Sequence, residues 1–318
     1  MPLILGTNSI KDTGYDVANS CRFNFGDNPT LKQTVGTYSN AQKGTFSFWF
    51  KRGNTTSTPM LFSNQHTNDN NRGYIILDGD RLVINNQEQS VADHSNQTSA
   101  LFRDHSAWYH VVITLDATES DNADRLKVWV NGTRVTSWST YDGLPASRDL
   151  MMFTTTSDYH GLSFIQGSSH WWEGYMAECA YCDGQAYDNE DFGEFDSDSP
   201  TIWKPKDLDG LTFGNNGWWI DFEDSSALGN DVSGNNNDFT VANLAATDQT
   251  TDTPTNNFAT LNPLMNNLNN LPTLSEGNLE VLAVSGSTWS VTPSTIGLPK
   301  KGKWVFEVEA VSGTSGDR

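Results

Sequence analysis

Apolar and polar residues alternate most regularly between positions 108 and 138 of the chain. Tyr109, Val111, Ile113 and Leu115 share one face of a predicted strand, and the same period of two returns in residues 126–130 after a polar loop. Asn131-Gly132 follows directly, and this pair predicts a tight hairpin turn because both residues tolerate positive φ. The stretch therefore predicts antiparallel strands joined by short turns.

Further strand-like segments occur at short intervals along the chain, namely residues 20–25, 44–52, 59–65, 73–85, 148–156, 161–167, 174–184 and 217–224. Asp78-Gly79 predicts a hairpin turn within one of them. Residues 86–107 read as a polar surface loop, and residues 188–195 as a short helical turn. Many short strands without a helical repeat longer than one turn predict an all-β fold, a two-sheet antiparallel jelly-roll sandwich.

Composition divides the chain into four predicted parts. Residues 1–19 form a polar docking arm, and residues 20–224 form the jelly roll. Residues 225–272, called the strap below, are rich in Asn, Asp and Thr, which is typical of a linker or a segment lying on a surface. Residues 273–318 are again strand-like, but so few strands cannot close a core. They predict the start of a second, incomplete β domain, or strands that add to another chain.

The charge of the chain excludes some partners. Its 318 residues include 19 Lys and Arg against 39 Asp and Glu, which gives a formal net charge of −20. Such a surface repels phosphate, so we expect neither nucleic acid nor an anionic membrane surface as a partner. No apolar run reaches the roughly 20 residues that span a bilayer. An acidic surface is typical of extracellular or particle-surface proteins, and of proteins that coordinate hard cations.

Three cysteines do not make a disulfide framework. Cys179 and Cys182 form a CxxC pair, but the pair lies in a predicted strand, where residues three apart point to opposite faces. We therefore predict buried structural thiols, not a disulfide or a zinc site.

Several segments carry a family resemblance. GTFSFWFKR (44–52), the pair AWYHVVITLD (107–116) and LKVWVNGTRV (126–135), and GYMAECAYCDGQAYDNEDFGEF (174–195) together resemble a concanavalin A-like, laminin-G-type jelly roll. This form of the jelly roll is similar to one that is common in structural proteins of tailed bacteriophages. The strap resembles a segment of the same group of proteins. STIGLPKKGKWVFEVEA (294–310) resembles the opening strands of a SPRY-type β-sandwich. The resemblance covers about residues 20–311.

This resemblance implies a virion component at the particle surface: a tail fibre, a head fibre or a surface decoration. It implies a non-catalytic role in assembly and in adhesion to a host-surface glycan. The partners would be other virion proteins, and a homotrimer is the fibre-like expectation. A free carbohydrate-binding lectin module is the first alternative, and a glycan-depolymerising hydrolase is the second.

The sequence favours binding over hydrolysis. Glucanases on this fold carry E-x-D-x-x-E, which places an acid and a nucleophile about 5–5.5 Å apart. The stretch from Glu194 to Ser199 approaches this pattern but lacks the final Glu. No G-x-S-x-G, H-E-x-x-H or Walker motif occurs either, so we expect no enzymatic activity.

Aromatic pairs and polar loops supply the candidate ligand contacts. Adjacent residues of a strand face opposite ways, so one member of Trp171-Trp172 could stack on a sugar ring or anchor a protein interface. Burial of both rings between sheet and strap is the alternative, and it applies equally to Trp218-Trp219. The remaining ligand candidates lie in predicted exposed loops; they are Asn68, Asp69, Tyr159 and His160.

A cluster of carboxylates and amides suggests a cation. Calcium prefers such oxygen ligands in flexible loops, and it is the single cofactor that the sequence suggests. Asp and Asn also stabilise ordinary turns by accepting backbone hydrogen bonds, so that alternative stays open. The candidate calcium ligands are Asp221, Asp224, Asp231, Asn235 and Asp238, with Glu223 and Asn237 beside them.

Overall fold

A computed structural model describes residues 14–53, 58–65, 71–88, 92–153, 159–165, 170–265, 272–282, 291–298 and 300–310. The strands, in chain order, are β1 (Ser20–Phe23), β2 (Thr30–Gln33), β3 (Lys43–Arg52), β4 (Met60–Gln65), β5 (Arg72–Asp78), β6 (Arg81–Glu88), β7 (Ala92–Thr98), β8 (Trp108–Asp116), β9 (Leu126–Val130), β10 (Thr133–Arg134), β11 (Trp138–Tyr141), β12 (Tyr159–Leu162), β13 (Gly174–Asp183), β14 (Gly193–Phe195), β15 (Trp203–Pro205), β16 (Trp218–Ile220), β17 (Thr240–Ala242), β18 (Gln249–Thr250), β19 (Thr273–Ser275) and β20 (Glu280–Leu282).

Helical structure in the described residues is confined to single turns. The helix α1 spans Asn122–Arg125. Short 3-10 helices occupy Phe25–Asp27, Met151–Phe153, Asn189–Asp191, Ala246–Asp248 and Pro263–Met265. Across the part of the chain that the structure describes, no helix has the length and apolar character needed to cross a bilayer.

Two antiparallel sheets form the predicted sandwich. The first has the order β10-β9-β8-β3-β13-β1-β18, with β16 also paired to β13. The second has the order β11-β7-β6-β5-β4-β12-β2-β17. Two small hairpins, β14-β15 and β19-β20, lie outside these sheets. The all-β, two-sheet architecture predicted from the pattern is therefore confirmed.

The core lies between the sheets and contains the residues that the period of two selects. From the first sheet come Phe46, Phe48, Phe50, Val111, Ile113 and Val128, all fully buried. Phe62 of β4 meets Phe46 of β3 with ring centroids 4.4 Å apart, so the sheets are in direct contact. Burying each such ring contributes roughly 1.5–3 kcal/mol to the free energy of folding. This aromatic layer is therefore the main stabilising contact between the two sheets.

The outer face of the first sheet is covered by a third layer. Trp49, Trp108 and Tyr175 pack there against Val17 of the arm and Trp203 of β15. A second group on the same face joins Val112, Ala180 and Cys182 to Phe192, Leu208, Phe213 and Trp219. This layer explains why most strands of the first sheet are buried on both faces.

The strap adds an edge strand to each sheet. Its strand β17 pairs with β2, and its strand β18 pairs with β1. Leu228 and Phe239 enter the main core, and Thr253 is fully buried. These residues of the strap are therefore integrated into the packing of the sandwich.

Two predicted turns can be compared with the structure. Asn131 and Gly132 have φ of 46° and 76° between β9 and β10, which confirms the first hairpin turn. Between β5 and β6 the turn residues are Gly79 and Asp80, with φ of 55° and 64°, one position later than predicted.

Two segment predictions are wrong. Residues 86–107 do not form a single loop, because β6 extends to Glu88 and β7 occupies Ala92–Thr98. The polar residues of β7 can face inward since Asn96 accepts hydrogen bonds from the backbone N–H groups of Asp142 and Gly143. The pattern predicts a strand over residues 148–156, but Met151–Phe153 form a 3-10 turn that buries Met152 and Phe153. Residues 154–156 lie outside the described residues.

The C-terminal strands are shorter than the pattern predicts. Within residues 277–297, Glu280–Leu282 form β20, and Ser294 makes an isolated bridge to Leu261. Residues 301–310 form no strand despite their alternating pattern, and no described strand pairs with them. Val305 and Phe306 are 89% and 78% exposed. The predicted SPRY-like domain and the other domain boundaries remain predictions.

Candidate functional site

Most of the aromatic residues that were candidates for ligand contact lie in the core instead. Trp172 is fully buried and meets Phe50 edge to face, with centroids 5.3 Å apart. Tyr159 and His160 are 1% and 0% exposed, because they lie in β12 inside the second sheet and not in a loop. Trp171 stays partly exposed beside Phe25, with centroids 5.7 Å apart. Asn68 and Asp69 lie outside the described residues.

His160 is held as a neutral ring in the core. The Trp218 indole N–H donates to its Nδ1 at 3.2 Å, and its Nε2 lies 2.8 Å from the Tyr38 hydroxyl. Burial lowers the pKa of His160 to about 3, since charging the ring there would require its desolvation. This environment suits a structural histidine.

The predicted calcium ligands form a network of turns. The Asp231 carboxylate accepts backbone N–H groups of Trp219, Ser233 and Asn237 at 2.8–2.9 Å. Asn235 donates its amide N–H groups to the carbonyls of Gly214 and Gly217, so this side chain stabilises the backbone of the neighbouring turn.

The other carboxylates of this cluster also accept backbone N–H groups. Asp238, Asp221 and Asp224 accept from Asp231, Glu223 and Ser226, respectively. Within the described ranges, no three His, Cys, Asp or Glu side chains converge on a common point. These hydrogen bonds are those of ordinary turns, as the alternative predicts, and calcium binding at this cluster stays a prediction.

A cleft of about 320 Å³ opens at the edge of the first sheet. Lys127 and Trp129 of β9 line it because they alternate with the buried Val128 and so point away from the core. Thr114 of β8, paired with Lys127, lies beside them. Asp116, Glu119, Asp124 and Arg134 also line the cleft, as do residues 186–188 and Asp191.

Hydrogen bonds to the first sheet fix the wall formed by residues 186–191. Thr114 donates its hydroxyl to the Tyr187 carbonyl, and the Tyr187 N–H donates to Thr45 Oγ1 at 3.0 Å. Asp188 caps the following 3-10 helix by accepting the Glu190 N–H at 2.9 Å. This helix confirms the first part of the helical turn predicted for residues 188–195, whereas Gly193–Phe195 form β14 instead. Asp188 and Asp191 both line the cleft.

Aromatic and charged groups share the cleft. Trp129 is partly buried, and the Arg134 guanidinium lies 5.1 Å from the centroid of its ring. Five carboxylates line the cleft against two cationic side chains. For Asp116, partial burial opposes ionisation, but hydrogen bonds from Thr118 and Lys43 outweigh it and lower the pKa of this carboxyl.

Two buried carboxyl groups lie on the first sheet away from the cleft. Burial raises the pKa of Glu178 to about 8, although Trp219 Nε1 and the Tyr15 hydroxyl donate to it at 2.6 and 3.1 Å. Burial likewise raises the pKa of Glu173 to about 7, against hydrogen bonds from the Phe25 and Gly277 N–H groups. Both side chains are 3% exposed, so neither is open to solvent as a catalytic acid would be.

The remaining chemical candidates have structural roles. Glu194 pairs with Lys204 at 3.1 Å across β14 and β15, and Asp196 accepts the N–H groups of Asp198 and Ser199 in a turn. Cys179 and Cys182 are free, buried thiols on opposite faces of β13, as predicted. Burial raises the pKa of both thiols, which keeps them protonated.

Sequence reasoning missed the cleft, although two signals in the pattern pointed to it. Trp129 is an aromatic residue at an outward position of a strand, and the acidic residues 188 and 191 lie in a predicted turn. Their proximity depends on the fold, because the lining residues come from two separate parts of the chain.

The chain is similar to several proteins of known structure. In structure, the chain is similar to a proposed carbohydrate-binding protein of Bacteroides ovatus, with 14% identity, 72% of this chain and 61% of that chain covered, and a TM-score of 0.46. It is also similar to the heptameric SAP-like pentraxin of Limulus polyphemus, with 15% identity, 55% and 80% coverage, and a TM-score of 0.38. For domains LG4-5 of the mouse laminin α1 chain the values are 13% identity, 58% and 46% coverage, and a TM-score of 0.37.

Two findings come from the sequence itself. No curated protein sequence matches the chain. Residues 25–184, half of the chain, match the family described as the concanavalin A-like lectin/glucanases superfamily, of laminin G type. The chain therefore belongs to the concanavalin A-like lectin/glucanases superfamily.

Proposed function

We propose that the chain is a non-catalytic carbohydrate-binding domain that holds a glycan in the cleft beside Trp129. The observation that carries the proposal is the lining of this cleft, where Trp129 and Tyr187 lie among carboxylates and two cationic groups. An aromatic ring packs against the apolar face of a sugar, and the charged groups hydrogen-bond its hydroxyls. Membership of a superfamily that includes lectins supports the same reading.

The size and charge of the cleft narrow the ligand. Its volume of about 320 Å³ is at the lower end of the range of about 300–1,000 Å³ for small-molecule sites, which suits one or two sugar rings. Asp116, Glu119, Asp124, Asp188 and Asp191 outnumber Lys127 and Arg134 there. A sialylated or uronic acid glycan would meet repulsion, so a neutral or amino sugar fits best.

The absence of hydrolysis is part of this proposal. A glycoside hydrolase needs a protonated carboxylic acid beside its substrate, which requires a raised pKa. Glu173 and Glu178 have such pKa values, but they are buried beneath the outer layer. In the cleft, the lowered pKa of Asp116 suits an ion-pair partner of Lys43 and not a proton donor.

A glycan array followed by calorimetry with the best ligand tests the proposal. Trp129→Ala should weaken binding roughly tenfold or more, because it removes the stacking surface. Trp304→Ala is the matched control, since this tryptophan lies partly exposed in residues 300–310, outside the cleft lining. Circular dichroism would check that both variants fold. If Trp129→Ala folds and binds the glycan with unchanged affinity, the glycan does not bind in this cleft and the proposal is wrong.

We also propose that the chain acts as an assembly component of a virus particle, as the sequence resemblance implies. Exposed apolar side chains at Val305, Phe306 and Val308 support this role, since such a surface is typical of a contact with another protein. Mass spectrometry of purified particles would test it: a stoichiometric amount of the chain is expected, and its consistent absence would end the proposal. The homotrimer and the location on head or tail remain predictions.

A further inference from the structure

A buried lysine lies where the strap crosses the first sheet. Lys51 is in β3, and its cross-strand partners are Trp108 of β8 and Tyr175 of β13. Its side chain is fully buried, and its amine lies 5.7 Å from the centroid of the Tyr175 ring. A fully buried lysine is rare, because removing an ammonium group from water costs several kcal/mol unless it is paired.

Three oxygen atoms of the strap surround this amine. Lys51 Nζ donates to Asp252 Oδ2 at 2.8 Å, to Asn257 Oδ1 at 2.8 Å and to the Phe258 carbonyl at 2.7 Å. The amine therefore lies within hydrogen-bond distance of a carboxylate and of a carboxamide at the same time.

The strap holds both side chains in place. Residues 253–256 form a tight turn through paired backbone hydrogen bonds, which brings Asp252 and Asn257 to the same amine. Asp252 Oδ1 accepts the Trp108 indole N–H at 3.0 Å, and Asn257 donates its amide N–H to the Ser106 carbonyl at 2.8 Å. The Asn257 amide orientation is thus fixed with its carbonyl toward the lysine.

We propose that Lys51 and Asn257 form an intramolecular isopeptide bond, with Asp252 as the group that moves the proton. Asp252 first takes one proton from the Lys51 ammonium. The neutral amine then attacks Cγ of Asn257 and forms the new C–N bond. The bond from Cγ to Nδ2 breaks, and the nitrogen leaves with the proton of Asp252 and one from the amine. Ammonium is released, the carboxylate of Asp252 is regenerated, and no oxidant or cofactor is consumed.

The surroundings favour this reaction over simple ion pairing. Burial lowers the pKa of Lys51, against the opposing effect of Asp252, so a neutral nucleophile is easier to reach than in water. The fixed contact between amine and carboxamide makes the attack intramolecular, which saves the entropy of bringing the groups together. Asp252 is itself 4% exposed, so the proton transfer takes place largely out of contact with bulk water.

Intact-mass spectrometry of the purified full chain, combined with peptide mapping, tests the bond. The expected mass is lower than the sequence mass by one ammonia, and the map should contain a branched peptide that joins Lys51 to Asn257. Succinimide formation at an asparagine also releases ammonia, so the branched peptide is the deciding readout. Full recovery of linear peptides with unmodified Lys51 and Asn257, after prolonged incubation of the folded protein, would overturn the proposal.

Variants separate the chemistry from the packing. Asn257→Ala and Lys51→Arg should each abolish the branched peptide, because one lacks the carboxamide and the other the nucleophile. Asn256→Ala is the matched control, since its side chain donates to the Thr251 carbonyl and does not approach the amine. This control should retain the branched peptide. Loss of the cross-link in Asn256→Ala but not in Asn257→Ala would assign the wrong asparagine and refute the proposal.

Discussion

The buried Glu178 should make the stability of the domain depend on pH in a direction unusual for a carboxyl group. Its pKa is about 8 in the folded chain against an ordinary value of 4.5. The folded state therefore keeps a proton that the unfolded chain has already lost. Stability is fully present below about pH 4.5 and decreases as the pH rises through about 8. Most carboxylates in ion pairs show the opposite trend.

The magnitude follows from the difference between the two pKa values. A difference of about 3.5 units corresponds to roughly 5 kcal/mol, at about 1.4 kcal/mol for each pH unit. Glu173, with a pKa of about 7, adds a similar slope over a narrower range. A loss of this size is comparable with the total stability of many domains, so it should be readily measurable.

Urea unfolding between about pH 5 and pH 9 would measure this effect in Glu178→Gln. The amide keeps the length of the side chain and one oxygen acceptor for Tyr15 or Trp219, but it does not titrate. Above about pH 6.5, where the buried histidines no longer add an opposing slope, the free energy of unfolding of the wild type should fall with rising pH. The variant should lack the part of this decrease that Glu178 contributes. The exposed Glu190, changed to Gln, is the control and should follow the wild type. Parallel curves for the wild type and Glu178→Gln would refute this account of the buried carboxyl.

Two further predictions concern buried histidines and a tight turn. His110 and His160 have pKa values lowered to about 3 by burial, so stability should fall as the pH drops below their ordinary value of 6.5. Urea unfolding should give a smaller acid slope for His160→Gln than for the wild type, and equal slopes would contradict the prediction. Gly132→Ala should destabilise by about 2 kcal/mol or more, since φ is +76° and its Cβ would lie 2.2 Å from the Trp203 ring. Gly79→Ala, with φ of +55° and no atom within 4 Å, should cost only about 1–2 kcal/mol; a cost equal to that of Gly132→Ala would remove the clash as the cause.

The pattern of alternation was sufficient for the fold class. A period of two over residues 109–115 and 126–130 placed Val111, Ile113 and Val128 in the core, because only one face of a strand is removed from water. Asn131-Gly132 was equally readable, since few residue pairs adopt positive φ without cost. The family resemblance then pointed to the same jelly-roll type that the strand pattern had predicted.

Polar segments and short apolar runs were the places where the pattern failed. The strand β7 is polar because the inward side chain of Asn96 finds backbone partners at residues 142–143, which local sequence does not reveal. Residues 151–153 are three consecutive apolar residues, which fit a buried strand and a single helical turn equally well. Periodicity therefore could not distinguish the two structures.

The sequence by itself determined most of the strands and the hairpin turn at Asn131-Gly132, because alternation and turn chemistry involve neighbours within a few residues. The tertiary structure alone decided which polar groups share a site. It buried His160 and Trp172, used Asp231 for turns, and brought Trp129 to Asp188 in one cleft. It also placed Lys51 against Asn257, although about two hundred residues lie between them. Such contacts depend on how distant strands pack, and local pattern carries no information about that packing.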